Sequence, residues 1–192
     1  MNKPGVVESD RWTMAPHARG QAEVRSGFET RFNALFDETF HRLYRYLDRL
    51  SGDPALAADL AQEAFVRLYR RGEVPDLPGA WLITVAMNLF RNERATERRR
   101  RRLLGLIRGE RLQADPAPGP DELFAADESR RRVRETLDRM PERDRRLLLL
   151  QAEGFSYREI GRALELNEAS VGTLLARARQ GFRRIYGDHA SS

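Results

Sequence analysis

The residues of this chain whose types and spacing could do chemistry are cations and short polar side chains set on helices. Between Gly154 and Arg184, Ser156 stands where it can cap a short helix with apolar positions Ile160, Ala163 and Leu164. Three turn-like residues follow, Glu165-Leu166-Asn167, and then Val171, Leu175, Ala178 and Phe182 recur at helical spacing. If that stripe faces a core, the opposite arc carries Glu168, Ala169, Gly172, Thr173, Ala176 and Arg177, with Asn167 and Ser170 at the helix entry. Short polar side chains at a helix N-terminus can approach base edges, and the unpaired N–H groups there favour phosphate. The far end carries Arg177, Arg179, Arg183 and Arg184. Two short helices, a tight turn and a basic second helix are what a helix-turn-helix needs to enter a major groove. The plainer alternative is a helical hairpin with a solvated arginine face.

Two further patches lie upstream. Arg91, Arg94 and Arg98 to Arg102 are opposed only by Glu93 and Glu97, and positions 91, 94, 98 and 101 share one helix face. Such a row could neutralise several phosphates, or it could be a solvated helix end. Asp59, Gln62 and Glu63 form an acidic-polar face opposite Leu60, Ala64 and Leu68, which suits either simple solvation or docking of a basic helix of a partner. No acid–base pair, Gly-rich phosphate loop or nucleophile elbow stands out, because carboxylates and arginines mix along exposed helices. The absence of cysteine removes disulfides and thiolate metal sites, and His17, His41 and His189 lack metal-ligand spacing. No catalytic residue, metal or cofactor is expected, and an enzyme is the least favoured class.

The elements that must position these patches are helical. Charged residues make up 33% and hydrophobic residues 41% of 192, a mixture that favours an all-α protein. Phe32, Leu35, Phe36, Phe40, Leu43 and Leu47 predict a helix from near Phe28 to Leu50. Asp53 and Pro54 predict the N-cap and first turn of a second, which buries Leu56, Leu60, Ala64, Phe65 and Leu68 and ends at Gly72. A third starts near Gly79, presents Trp81, Leu82, Val85 and Leu89, and dissolves into Arg98 to Arg102. Prolines at 116, 118 and 120 forbid a regular helix in the stretch that follows. Helices through Val133, Leu137 and Met140, and from Pro141 to Leu150, then lead into the helix-turn-helix.

The expected fold is therefore two small helical domains joined by a flexible linker, the C-terminal one containing a helix-turn-helix. The boundaries are a disordered tail over 1–26, a first domain over 27–102, a linker over 103–126, a second domain over 127–187 and a tail over 188–192. The net charge of +5 and pI near 10.2 suit a polyanionic partner, although Lys3 is the only lysine and the arginine bias partly follows genome composition. No apolar run approaches the ~20 residues of a membrane span and Met1 to Ser26 lacks a signal's apolar core, so no membrane insertion is expected and a cytoplasmic location is.

Three segments in this order resemble bacterial RNA polymerase sigma factors of the extracytoplasmic-function (ECF) group. Asp59-Leu-Ala-Gln62-Glu63-Ala-Phe65-Val-Arg-Leu is similar to the family's polymerase-binding helix, and Trp81-Leu-Ile-Thr-Val-Ala-Met-Asn88-Leu to its −10-reading helix. Leu137-Asp-Arg-Met-Pro141, Gly154-Phe-Ser-Tyr-Arg-Glu159-Ile-Gly and Ser170-Val171 through Arg177-Ala178-Arg179 resemble its region four. The resemblance covers about 28–187. It implies a factor that binds core polymerase, directs it to −35 and −10 elements and aids melting. Asp59, Gln62 and Glu63 would meet the β′ clamp helices, while region four would meet the β flap. Asn88, Arg91, Asn92, Arg94 and Arg98 would hold the −10 region, and the loop between Arg71 and Pro78 would lie beside a flipped-out base. The linker would thread toward the active-site and RNA-exit channels. Asn167, Glu168, Ser170, Thr173, Leu174, Arg177 and Arg179 would read or position −35 DNA. An anti-sigma protein is an implied partner.

Departures from the family pattern fall at Gly172 and Leu174, where a Lys or Arg is usual, and at Asn92, where an Asp is frequent. The residues by themselves leave two rivals standing: an autonomous helix-turn-helix regulator, and an RNA-binding or protein-docking adaptor.

Overall fold

The aromatic and leucine repeat that begins at Phe28 folds as part of one long helix, α1 (Pro16–Ser51). The computed structural model describes residues 16–108 and 126–190, with side chains over 26–104 and 128–187. α1 starts well before Phe28, so residues 16–26 are helical where a disordered tail was expected. Pro16 suits a first helical position, and the Ala, Arg, Gln and Glu that follow extend a nucleus that the apolar repeat supplies. The rest of that tail, 1–15, lies outside the described residues.

α2 (Pro54–Arg71) is bounded by the signals expected of it. The Asp53 carboxylate accepts from the N–H groups of Ala55 and Leu56, both at 3.0 Å, and Gly72 closes the helix at φ 75°. α3 (Pro78–Arg108) continues through the arginine run, because arginine is a good helix former and Glu97 pairs with Arg101 at 2.9 Å. Residues 103–108, expected in the linker, are therefore helical, and 109–125 lie outside the described residues. The second unit comprises α4 (Ala126–Asp138), α5 (Glu142–Ala152), α6 (Tyr157–Ala163) and α7 (Glu168–Ala190). α7 runs past the expected end at 187. The described residues contain seven helices and no strand, in the two helical units that the apolar periodicity predicts.

The core of the first unit is built from Leu43, Tyr46 and Leu47 of α1, Ala57, Ala61, Ala64 and Leu68 of α2, and Leu82, Ile83 and Ala86 of α3. Small alanines on α2 let the helices approach closely, and each buried leucine contributes about 1.5–3 kcal/mol. Trp81, Val85 and Leu89, expected to lead the inward stripe of α3, are only half-buried; Leu82, Ile83, Ala86, Met87 and Phe90 take the inner positions. The run is apolar enough to fit several phases, and α3 has neighbours on two sides. Thr136, Leu147, Leu150, Ile160, Val171, Leu175 and Ala178 fill the second unit.

The two units also pack against one another. α1 packs on α5 and α3 packs on α6, and buried apolar side chains from both units form one continuous cluster. Nothing in the local periodicity announced this contact.

The helix-turn-helix is shaped by three local devices. Ser156 and Glu159 form a reciprocal capping box, with Ser156 Oγ accepting from the Glu159 N–H at 3.3 Å and Glu159 Oε2 from the Ser156 N–H at 2.8 Å. Glu165 takes a left-handed φ of 56° to turn the chain, and the Leu166 N–H donates to the Gly161 carbonyl at 2.7 Å. Gly161 is buried where a Cβ would stand 3.1 Å from the Leu166 carbonyl oxygen and 3.4 Å from the Glu168 Cα. Both neighbours are backbone of the turn and cannot rotate away. Gly161→Ala should therefore destabilise the chain by about 1–3 kcal/mol in urea denaturation, the range for overpacking; an unchanged midpoint would show that the turn yields freely.

Candidate nucleic-acid interface

The outward arc of α7 follows from its buried stripe. With Val171, Leu175 and Ala178 fully buried, Glu168, Ala169, Ser170, Thr173, Ala176 and Arg177 face outward and are exposed. Three of the residues expected to join them are committed elsewhere. The Asn167 carboxamide oxygen accepts from the Ala169 N–H at 3.0 Å, so it caps the helix. Leu174 is half-buried and packs against the core. Arg179 reaches back to Gln151 on α5, donating to Oε1 at 2.7 Å. What remains is a short, mostly polar arc with one cation, Arg177, one turn from the centre.

On α3 the expected residues are all exposed, and two of them meet: Arg91 Nη1 donates to Asn88 Oδ1 at 3.2 Å. The Arg94 guanidinium lies 5.7 Å from the Phe90 ring centroid, a cation–π contact made at an exposed residue. Asn92 and Arg98 are exposed on the same helix. The row is thus partly preordered by an amide and a ring and so loses less side-chain freedom on meeting phosphate.

Asp59 and Gln62 are exposed on α2, whereas Glu63 is half-buried and holds Arg67 at 2.8 Å. Gln62 also edges an aromatic groove of about 440 Å³ lined by Phe32, Phe36, Phe40, Phe65 and Tyr69. Phe36 sits edge-on to Phe65 at 5.0 Å and Tyr69 edge-on to Phe32 at 5.3 Å, so the α1–α2 junction is held by rings that remain partly at the surface. Phe36, expected inside, is among them. The acidic-polar patch is therefore continuous with an apolar one.

Sequence reasoning missed the groups where the units meet. Arg42, Arg45 and Arg49 repeat at three and four residues along α1, a visible basic row, but their acceptors lie more than a hundred residues away at Glu153 and Gly154. No local pattern links the two. Arg158 and Arg162, exposed on α6, line a crevice of about 960 Å³ with Pro75, Asp76 and Leu77 of the α2–α3 loop.

The described residues thus present two helical units with one basic helix row, one acidic-polar face and a C-terminal helix-turn-helix, an arrangement suited to DNA. Comparison with known proteins narrows this. Residues 35–100 match the family model for sigma-70 region 2, and residues 130–180 match that for sigma-70 region 4. The chain is 34% identical over 159 residues to the ECF RNA polymerase sigma factor SigE of Mycolicibacterium smegmatis, covering 78% of this chain and 59% of that protein. It is 29% identical over 173 residues to the ECF RNA polymerase sigma factor BldN of Streptomyces coelicolor, covering 87% and 64%. The chain thus spans about three fifths of the length of these curated relatives. In fold it is similar to the sigma factor RpoE of Bartonella quintana, solved with the anti-sigma factor NepR, at a TM-score of 0.53 and 20% identity over 80% of this chain and 94% of that one. The chain belongs to the sigma-70 family, within its extracytoplasmic-function group.

Gly172 lies in the α7 entry turn, where a basic residue was expected from the resemblance. A Cβ there would meet only the Tyr157 ring, at an ordinary 3.5 Å. The fold itself does not require glycine at this position. Gly172→Ala should stabilise the chain by about 1 kcal/mol in thermal denaturation. If duplex affinity falls in the same variant, the glycine serves close approach to DNA; if stability does not rise, the packing argument fails.

Proposed function

We propose that this chain binds core RNA polymerase and directs it to promoters with paired −35 and −10 elements, aiding strand opening without covalent chemistry of its own. The observation that carries this is the pairing, in one chain, of an exposed acidic-polar face on α2 with two separate DNA-suited surfaces on α3 and α7. A solitary helix-turn-helix regulator has use for neither the docking face nor the α3 row. Asp59 and Gln62, with the Glu63–Arg67 pair beside them, meet the β′ clamp helices in this reading. Asn88, Arg91, Asn92, Arg94 and Arg98 hold the −10 strand by phosphate and base-edge contacts. Ser170, Thr173 and Arg177 face the −35 groove, with Glu168 at its edge and Asn167, Leu174 and Arg179 setting the helix. Region four also meets the β flap. Each DNA contact set is small, and tethering both on polymerase raises selectivity through effective concentration.

The solved complex of RpoE with NepR is the ground for proposing an anti-sigma partner here as well. No described helix is long and apolar enough to cross a membrane. A place in the cytoplasm, beside polymerase and DNA, follows from the proposed activity.

The decisive experiment is in vitro transcription with core enzyme on templates carrying promoters mapped after overexpression. A promoter-dependent transcript that requires this chain is expected, and strong footprinting without polymerase would favour the solitary regulator instead. Making the docking face basic with Asp59→Arg and Gln62→Arg should lower polymerase capture in a pull-down while circular dichroism stays unchanged. An intact pull-down would remove this face from the interface. Arg177→Ala should weaken promoter selection by about 1–3 kcal/mol if the guanidinium makes a bidentate base contact; an unaltered −35 mutational profile would rule that role out.

A further inference from the structure

We propose that the crevice between the α2–α3 loop and α6 binds a free guanine nucleotide carrying two or more phosphates. The crevice measures about 960 Å³ and is walled by Pro75, Asp76 and Leu77 of the loop, Trp81 of α3, and Arg158 and Arg162 of α6. Clefts of about 300–1,000 Å³ at the meeting of two units, where a few polar groups converge on an apolar lining, are the usual seats of small ligands. Promoter reading assigns no task to Arg158 or Arg162, so the site lies beyond that function.

The anion-binding wall is α6. Arg158 and Arg162 stand four residues apart, so they share one helix face a turn apart. Both are exposed, and neither has a hydrogen bond or ion pair with any described residue. Glu159, between them in sequence, is committed to the capping box, where Oε2 accepts from both the N–H and the hydroxyl of Ser156. Gly79 brings α3 against the same carboxylate, since a Cβ there would collide with it, and so sets how near the Trp81 wall stands to α6. A guanidinium presents paired N–H donors to phosphate oxygens. Two of them a turn apart match neighbouring phosphates of one ligand.

The other wall suits a base. Trp81 is half-buried, and its indole N–H has no partner among the described residues. Indole is a broad stacking platform for a nucleobase, and Pro75, Leu77 and Leu166 extend the apolar lining. Asp76 is exposed, with a carboxylate that is unpaired among the described residues. The Thr84 hydroxyl donates to the Ala80 carbonyl at 2.8 Å, which leaves its lone pairs to accept. A carboxylate takes two parallel N–H donors well, and guanine alone among the common bases carries N–H groups at two adjacent positions of one edge.

The layout of charge selects this class over simpler ligands. Asp76 and Glu165, both exposed on the lining, repel an anion that has no donors of its own. A neutral ring compound leaves Arg158 and Arg162 unsatisfied, and pyrophosphate has nothing to set against Trp81. Single-stranded DNA spaces its phosphates with sugars, whereas a nucleoside diphosphate places two phosphates together beside one base. A ligand with a planar base, paired N–H donors and clustered phosphates meets the indole, Asp76 and both arginines at once.

Trp12 and Trp81 are the chain's two tryptophans, so in the full chain carrying Trp12→Phe the tryptophan emission reports on Trp81. Titration with guanosine diphosphate should quench it saturably at one site per chain, with adenosine diphosphate and pyrophosphate at least tenfold weaker. Arg158→Ala with Arg162→Ala should weaken guanosine diphosphate at least tenfold while circular dichroism stays unchanged. Arg130→Ala with Arg134→Ala, an equally spaced exposed pair on α4, should leave binding intact. Asp76→Asn should remove the preference for guanine over adenine. No saturable quench, adenosine diphosphate or pyrophosphate binding as tightly, a guanine preference that survives Asp76→Asn, or equal loss in both arginine pairs would overturn the proposal. So would quenching by a −10 single strand without quenching by the nucleotide. If the Arg158–Arg162 variant loses helical signal, Arg158→Gln with Arg162→Gln, which keeps much of each stem, decides. Polymerase and promoter take no part in the titration, so its outcome and that of the transcription assay stand independently.

Discussion

A single buried carboxylate, that of Glu153, decides how the two halves of this chain sit together. A carboxylate removed from water is costly unless cations and donors replace its hydration, and removing one partner of such a pair typically costs about 3–5 kcal/mol. Here Arg45 and Arg49 supply the charge, and Arg42 binds the backbone carbonyls of the same corner. The corner is sharp because Gly154 turns the chain at φ 79°. Placing a turn, an acid and an aromatic ring, Phe155, against one face of α1 fixes where α6 can go. The position of α6 in turn fixes α7, and so the exposed arc of the helix-turn-helix.

The interaction is strong in geometry and moderate in energy. Half-exposed arginines keep much of their hydration, so their attraction for Glu153 is diluted by solvent, and exposed ion pairs are worth about 0–1 kcal/mol. Arg145 Nε and Arg146 Nε, buried on α5 without a hydrogen bond, subtract further, at about 1–3 kcal/mol each. The apolar cluster that runs across the seam works the other way. Tyr46 shows the balance locally. It is fully buried, its hydroxyl donates to Met87 Sδ at 3.2 Å, and burial holds its phenol far above the usual tyrosine range against the opposing pull of Arg146 and Arg145. A neutral phenol under two guanidinium groups is a tolerant floor for an interface.

Local features of the fold were legible in the residues because each has a short-range cause. Asp53-Pro54, Gly72 and the Ser156–Glu159 box are set within four residues, and all lie where side-chain chemistry puts them. The buried stripe of α7 was equally readable, since Val171, Leu175 and Ala178 admit one phase. The stripe of α3 was not, because Leu82, Ile83, Val85 and Met87 fit more than one face, and contacts with two neighbours choose among them. The helical extensions at Pro16 and through Arg108 were hidden for another reason. They are polar segments that continue a helix nucleated elsewhere, and periodicity is silent about propagation.

Site residues divide along the same line. Exposure of Asp59, Gln62, Asn88, Arg91, Ser170, Thr173 and Arg177 followed from the position of the apolar residues beside them. The secondary duties of Asn167, Leu174 and Arg179 required the neighbouring helix and turn to be in place. Glu153 is the limiting case. In the sequence it is one acid before a glycine, with no spacing to suggest burial and its partners more than a hundred residues away. Local reasoning can find the surfaces on each unit, because each surface is the back of a stripe. It cannot find what joins the units, because that contact is written in single residues and not in a period. The contact between the two units is therefore the part of this fold for which three-dimensional structure is indispensable.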